Sequence, residues 1–162
     1  MRRVTLKLLA VAGLAVLAGC GFQLRGQSSL PFNSAYVDAA SGSVLASQLS
    51  KHLDQKAKLA SRRDKADVVI RLTGENRGKK ILSLSGGGKV REYRLIDMVT
   101  VSAVSPEGQE MLAPTDISLT RDFSYSDEQI LAKEAEEAML RKDMDDDALR
   151  QILRRLAFIR KP

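Results

Sequence analysis

The sequence predicts an α+β domain built as a two-layer sandwich, in which two helices pack on one face of a four-stranded mixed β-sheet. Amphipathic helical patterns occur near the beginning and at the end of the predicted domain, and four strand patterns account for most of the remaining chain. The first strand, first helix and second strand follow one another directly, an order that favours a parallel pair joined by a right-handed crossover. A turn signal between the last two strands predicts a reversal of the chain.

Residues 1–19 have the pattern of a secretory signal peptide. Arg2, Arg3 and Lys7 form a basic start, and the apolar run that follows is shorter than the roughly 20 residues needed to span a bilayer. Cys20 directly follows Leu-Ala-Gly, which resembles the lipobox of bacterial lipoproteins. That resemblance implies a thiol joined to diacylglycerol and an acylated amino terminus, with palmitate as a typical chain. An ordinary signal peptide with an incidental cysteine is the alternative.

The composition indicates one small domain after the signal peptide. We predict a lipid-anchored tether at residues 20–33 and a single domain at residues 34–162. Residues 1–19 carry three cations and no acid, so their removal lowers the formal net charge from +6 by three and weakens the case for nucleic-acid binding. Cys20 is the only cysteine and His52 the only histidine, so we expect neither a disulfide nor a metal centre.

The first half of the domain contains a strand, a helix and a second strand. Residues 35–39 form a short strand pattern, and a helix with one apolar face is predicted over residues 43–59, with Ser43 near its start. His52 lies at the edge of that apolar face, where a structural role is expected. Residues 67–73 alternate between two faces and give the clearest strand pattern in the chain.

Residues 74–89 are rich in glycine and basic side chains. Such a long connection is typical of a mobile functional segment, but the same residues also fit a hairpin extension of the flanking strands. The glycines at 86–88 lack the Gly-Lys-Ser/Thr sequence of a phosphate-binding loop.

Two strands and a long helix complete the predicted domain. Residues 90–104 and 111–123 are predicted strands, joined by a turn at 105–108, and Pro114 indicates an edge position or a bulge. Ser126 and Gln129 fit a capping box before a helical pattern that extends to Leu156. The acids at 143–147 interrupt its apolar stripe, so the helix either bends or projects past the sheet, and we interpret them as a solvated face.

Enzymatic activity is not expected, because the chain lacks the constellations that catalysis requires. There is one histidine, no free thiol after lipidation, and neither a Gly-x-Ser-x-Gly nor a His-Glu-x-x-His pattern. Carboxylate pairs occur only in charged helical runs. No cofactor is predicted apart from the covalent lipid on Cys20.

A cluster of basic residues is the candidate binding site for an anionic lipid. Ammonium and guanidinium groups pair with phosphates, and apolar neighbours at Ile81, Leu82 and Leu84 would accept acyl chains. A basic surface that serves only solubility is an equally weighted alternative. The candidate binding residues are Arg77, Lys79, Lys80, Lys89, Arg91 and Arg94.

Several blocks spread over the mature chain resemble the LptE family of lipopolysaccharide-assembly lipoproteins. The first is Gly-Cys-Gly-Phe-Gln-Leu-Arg-Gly, and the second is Arg-Glu-Tyr-Arg-Leu. Their order along the chain makes the resemblance more specific than a lipobox alone. The blocks occupy residues 19–26, 91–95, 121–125, 131–137, 145–148 and 153–156.

The resemblance implies the same two-layer fold and a place in the outer membrane, within the lumen of an LptD β-barrel. It further implies that the protein plugs this barrel, assists its assembly and binds lipopolysaccharide during delivery to the cell surface. The polar positions Ser118, Thr120 and Asp122 would then face the barrel. A structural scaffold of another envelope complex, with no ligand of its own, is the alternative hypothesis.

Overall fold

The computed structural model describes residues 30–160. The predicted signal peptide, Cys20 and most of the predicted tether lie outside these residues. Two helices and four strands form an α+β fold, as the sequence predicts. The strands are β1 (Ala35–Ala39), β2 (Val68–Leu84), β3 (Val90–Val104) and β4 (Glu110–Ser124), and the helices are α1 (Val44–Gln55) and α2 (Ile130–Leu156).

The four strands form one mixed sheet in the order β1-β2-β3-β4. β1 is parallel to β2, with Ala35 opposite Val68, which confirms the predicted parallel pair. The other neighbours are antiparallel. We call the end with the β2–β3 turn the distal end, and the opposite end, where the chain enters β1, the proximal end.

Residues 74–84 continue β2, so the hairpin extension is the correct alternative for this segment. β2 pairs with β3 over nearly its whole length, and the Ser85 N–H donates to the carbonyl oxygen of Lys89 at 2.7 Å to close the turn. A bulge interrupts the pairing between Thr73 and Asn76, where Gly74 has a φ of 63° that favours glycine. The predicted strand ends where this bulge begins because the apolar alternation stops there.

The main core lies between the proximal half of the sheet and both helices. α1 contributes Leu45, Leu49 and Leu53, while α2 contributes its C-terminal half. Phe32, near the end of the predicted tether, is also buried in this core. The core side chains of the sheet and of α2 are Val68, Ile70, Leu72, Val99, Val101, Ile117, Ala148, Ile152 and Leu156.

α1 is shorter than the predicted helix over residues 43–59. Ser43 caps its start, because the Ser43 Oγ accepts a hydrogen bond from the Ala46 N–H at 2.9 Å. The helix ends at Gln55, and Ala57 then takes a φ of 53°. This turn directs Leu59 into a parallel β-bridge with Ala35, which ends the helix before the apolar pattern does.

α2 is continuous from Ile130 to Leu156, and its middle lies against the sheet instead of projecting past it. Asp145 faces the sheet with 8% of its surface exposed, so the interpretation of residues 143–147 as a solvated face is wrong for this residue. The predicted capping box is also incomplete. The Ser126 Oγ accepts from the Glu128 N–H at 3.3 Å, and a 3₁₀ turn, Asp127–Gln129, precedes the helix.

Pro114 combines both of its predicted roles. β4 is an edge strand, and its pairing with β3 shifts register between Thr115 and Leu112, where Pro114 lies. Within residues 30–160, neither helix has the length and apolar character required to cross a bilayer.

Candidate functional site

The distal end of the sheet carries the basic residues that the sequence analysis identified, but the structure separates them into groups. Arg77 and Lys79 belong to the face that carries the helices. Lys80 and Arg94 lie opposite each other on β2 and β3, on the other, open face. Lys89 follows the β2–β3 turn and Arg91 lies near the start of β3.

Arg77 and Lys79 form ion pairs with α2. The guanidinium of Arg77 pairs with the Asp145 carboxylate and has its Nε 4.0 Å from Asp97 Oδ2. The Lys79 Nζ lies 2.5 Å from a carboxylate oxygen of Glu137. These two cations therefore connect the sheet to the long helix.

Lys79 also contacts an aromatic cluster formed by Tyr93, Phe123 and Tyr125. Its Nζ lies 4.2 Å from the centroid of the Tyr93 ring and 5.4 Å from that of Phe123. Tyr93 stacks on Phe123 and meets Tyr125 edge to face. The sequence analysis missed this cluster, although all three aromatic residues lie in blocks that carry the family resemblance.

Arg94 is paired on the open face. Its Nε donates to Asp122 at 2.7 Å in a two-pronged contact between strands. The hydrogen bond from Arg94 lowers the pKa of the Asp122 carboxyl below its usual value, and the same bond raises the pKa of Arg94. Asp122 is one of the polar positions that the resemblance assigns to the barrel side, and Ser118 and Thr120 are exposed on the same face.

Lys80, Lys89 and Arg91 are the cations of this group that remain most available. Lys80 and Arg91 are exposed and have no ion-pair partner within residues 30–160. The Lys89 Nζ lies 3.8 Å from Asp127, and its side chain is 76% exposed. Long contacts between exposed charges contribute little binding energy, so Lys89 is available to another anion.

Exposed apolar side chains lie at the same end of the hairpin as these cations. Ile81, Leu82 and Leu84 are exposed by 57%, 42% and 55%, respectively. A cavity of about 360 Å³ lies next to Leu84 and is lined in addition by Ser83, Arg91, Glu92, Ser124 and Tyr125. Arg91 thus lies beside a space large enough for a small polar group, with apolar surface close by.

A second group of charges lies between the sheet and α2. Arg141 donates to Asp97 at 2.6 Å and to the carbonyl oxygen of Gly78 at 3.0 Å, and Arg121 pairs with Asp147. Burial raises the pKa of the Asp145 carboxyl, although Arg77 acts in the opposite direction. The sequence analysis placed the acids of this helix in solvent and so missed these contacts.

The described residues contain no group of three or more His, Cys, Asp or Glu side chains arranged to hold a metal ion. His52 is half-buried on α1. The predicted lipidation site, Cys20, lies outside the residues that the structure describes.

Comparison with known proteins identifies relatives over most of the chain. The chain is 29% identical to the LPS-assembly lipoprotein LptE of Yersinia enterocolitica, covering 94% of this chain and 76% of the relative. It is also 29% identical to the LPS-assembly lipoprotein LptE of Photorhabdus laumondii, with coverages of 98% and 88%.

Solved lipoprotein structures have the same fold. Lipoprotein B of Nitrosomonas europaea superposes with a TM-score of 0.73 at 40% identity, covering 85% of this chain and 90% of that chain. The rare lipoprotein B of Shewanella oneidensis gives a TM-score of 0.65 at 27% identity, with coverages of 77% and 94%.

A family model described as "LptE: Lipopolysaccharide-assembly" matches residues 29–156, which include every helix and strand of the domain. The family consists of lipoproteins of lipopolysaccharide assembly and not of enzymes, in agreement with the prediction that the chain is not an enzyme. The chain therefore belongs to the LptE lipopolysaccharide-assembly family.

Proposed function

We propose that this protein is an outer-membrane lipoprotein, anchored through Cys20, that occupies the lumen of an LptD β-barrel on the periplasmic side. It plugs the barrel, assists its assembly and binds lipopolysaccharide during delivery to the cell surface. The observation that carries this proposal is the family match over residues 29–156, which supports a role in lipopolysaccharide assembly. The barrel partner and the ligand follow from the family resemblance.

The shape and surface of the domain support a position within a barrel. β2 is 17 residues long, which corresponds to about 50 Å for an extended strand. The hydrocarbon core of a bilayer is about 30 Å thick, and a membrane barrel that crosses it has a polar interior. The open face of β4 presents Ser118, Thr120 and Asp122, a polar surface that suits such an interior.

Lipopolysaccharide binding is assigned to the distal end. Phosphate groups would pair with the ammonium groups of Lys80 and Lys89 and with the guanidinium of Arg91. The exposed side chains Ile81 and Leu84 would accept apolar chains. Arg77, Lys79 and Arg94 already hold acidic partners, so we give them a supporting role in the same region.

A charge-reversal series tests the proposed ligand site. In the first variant Lys80, Lys89 and Arg91 are each replaced by Glu. The matched control replaces Lys51, Lys56 and Arg154 by Glu, because these exposed cations lie near the proximal end and produce the same change in net charge. Circular dichroism verifies that both variants are folded.

We expect the distal variant to weaken lipopolysaccharide affinity by about tenfold or more, since contacts with charged groups contribute about 1.5–3 kcal/mol each. The control should bind nearly as well as the unsubstituted protein. Equal losses in both variants would indicate general electrostatic attraction and contradict a localised site. An unchanged affinity in the folded distal variant would remove these three residues from the proposal.

The scaffold without a ligand is the second candidate function. The ion pairs of Arg77, Lys79 and Arg94 favour it, because these three cations serve contacts inside the domain. Under this alternative, neither charge-reversal variant would differ from the unsubstituted protein in ligand binding, while a partner complex would still form.

A further inference from the structure

The apolar interior consists of two clusters. The larger one, in the proximal half, includes Leu49, Ile70 and Ile152. The smaller one, in the distal half, has Leu95, Phe123 and Met144 at its centre. Both clusters include residues of α2, at different positions along the helix.

A charged layer occupies the boundary between the clusters. On β3, Asp97 lies between Leu95 of the distal cluster and Val99 of the proximal cluster, on the same side of the strand. α2 brings its charged residues to the same level, directly around Met144. We define the charged layer as Arg77, Asp97, Arg121, Arg141, Asp145 and Asp147.

The centre of the layer is largely buried, whereas its margin is not, because the side chains of Arg77 and Arg121 are 43% and 37% exposed. The side chains of Asp97 and Arg141 are 14% and 18% exposed. Within residues 30–160, the buried Asp97 Oδ2 has no hydrogen-bond partner. A pocket of about 30 Å³ that is partly open to solvent adjoins Asp97, Asp145 and Met144, and it has room for a water molecule at this level.

Such a layer contributes less to stability than apolar packing at the same place. Removing two charges from water has a free-energy cost that their attraction often fails to recover, and apolar replacement of buried pairs is often stabilising. Leu119 packs against both clusters and provides an apolar connection across the layer. The coupling between the halves therefore depends on a few side chains and on the strands.

We propose that the charged layer divides the domain into two cooperative units, and that the distal unit opens while the proximal core remains folded. The distal unit comprises residues 74–97 of the hairpin, residues 118–124 of β4 and residues 130–147 of α2. Opening uncovers the cluster around Leu95, Phe123 and Met144, next to the exposed side chains of the hairpin. Local opening of this kind is set by how few buried contacts hold a segment.

Hydrogen exchange of the full-length lipidated protein in detergent micelles tests the two-unit proposal. We expect peptides from residues 130–143 to exchange at least about tenfold faster than peptides from residues 149–156, which belong to the same helix. Equal protection along α2, beyond the fraying of its first turn, would overturn the proposal because it would indicate a single cooperative unit.

Two variants test whether the charged layer causes the faster exchange of the distal unit. Asp97→Ala removes the shortest ion pair of Arg141, which keeps Glu137 at 3.6 Å and the carbonyl oxygen of Gly78, and should accelerate exchange of the distal peptides by about tenfold or more, with little effect on the proximal ones. A fourfold replacement, Arg77→Met, Asp97→Leu, Arg141→Met and Asp145→Leu, keeps the net charge and should slow distal exchange several-fold. If Asp97→Ala fails to fold, the fourfold variant still tests the proposal.

The exposed pair of Arg94 and Asp122 provides the control, because it also joins two strands but lies on the open face. Arg94→Gln with Asp122→Asn should leave the exchange of both units unchanged. Equal acceleration of distal and proximal peptides by Asp97→Ala would contradict the division into units. If distal exchange is unchanged in the fourfold variant, the charged layer is not the cause of the distal opening.

Discussion

At the scale of single residues, Asp145 is under two opposing influences. Burial between α2 and the sheet disfavours its charged form, while the guanidinium of Arg77 favours it. Burial has the larger effect, so the pKa of this carboxyl is raised above its usual value. The negative charges of Asp97 and Asp146 act in the same direction as burial.

The raised pKa of Asp145 predicts a pH-dependent difference between the protein and its Asp145→Asn variant. A carboxyl with a higher pKa in the folded state than in the unfolded state binds protons more tightly when folded. Its favourable contribution is therefore complete below the unfolded pKa and is lost as the pH rises through the folded pKa. The free energy of unfolding of the unsubstituted protein should increase relative to that of the variant as the pH falls through this window.

Urea denaturation at a series of pH values measures this difference. The effects of Asp122 and Asp147, whose pKa values are lowered by their arginine partners, occur in both proteins and cancel in the comparison. A constant difference across the window would mean that the Asp145 pKa is not raised in the folded protein. A difference of opposite sign would mean that the contact with Arg77 outweighs burial.

The sequence alone predicts part of the environment of Asp145. Met144, Ala148 and Ile152 follow the helical spacing of the buried stripe, and Asp145 is adjacent to it. Its partners could not be predicted, because Arg77 lies 68 residues away in the chain and reaches Asp145 only through strand pairing and helix packing. A run of charged residues predicts a solvent-exposed face, because most such runs are exposed.

At the scale of elements, α2 is anchored unequally along its length. Its C-terminal half places Ile152 and Leu156 in the proximal core, where both are fully buried. Its N-terminal half carries Leu131 and Met139 in exposed positions and contacts the sheet through Glu137 and Arg141, with Leu140 packed against the distal cluster. The stability that the helix contributes is therefore concentrated near its end.

Truncation at the two ends of α2 tests this difference. Ile152→Ala should lower the free energy of unfolding by about 2–5 kcal/mol, because it leaves a cavity in the core. Leu131→Ala removes a similar apolar side chain that is 82% exposed and should change stability by about 0.5 kcal/mol or less. Comparable losses from both changes, measured by chemical denaturation, would place the N-terminal half of α2 in a packed core as well.

The β2–β3 hairpin shows which strand segments can be predicted from the sequence. The pattern of β3 was found over its full length because apolar side chains alternate along it. The distal part of β2 has Gly74, Gly78 and several charges, so its strand conformation comes from backbone pairing with β3 rather than from a local signal. The same reason explains why α1 was predicted too long, since the bridge between Leu59 and Ala35 is a long-range contact.

At the scale of the whole molecule, the chain enters the fold at one end, and the basic residues of the proposed ligand site lie toward the other. The chain enters β1 beside Val68, and the basic residues lie at the far end of the 17-residue β2. The proposed lipid on Cys20 would tether the domain from its proximal end. The order of helix and strand patterns predicted this architecture, whereas the division of the interior by charges required the structure.

The proposed role as the lipoprotein partner of an LptD β-barrel can be tested biochemically. The most direct test is affinity purification of the tagged, lipidated protein from detergent-solubilised outer membranes, followed by mass spectrometry and lipid analysis. We expect a large β-barrel protein in roughly equimolar amount, together with lipopolysaccharide. Recovery of a different envelope complex, or of the lipoprotein alone under conditions that preserve membrane assemblies, would contradict the proposed role.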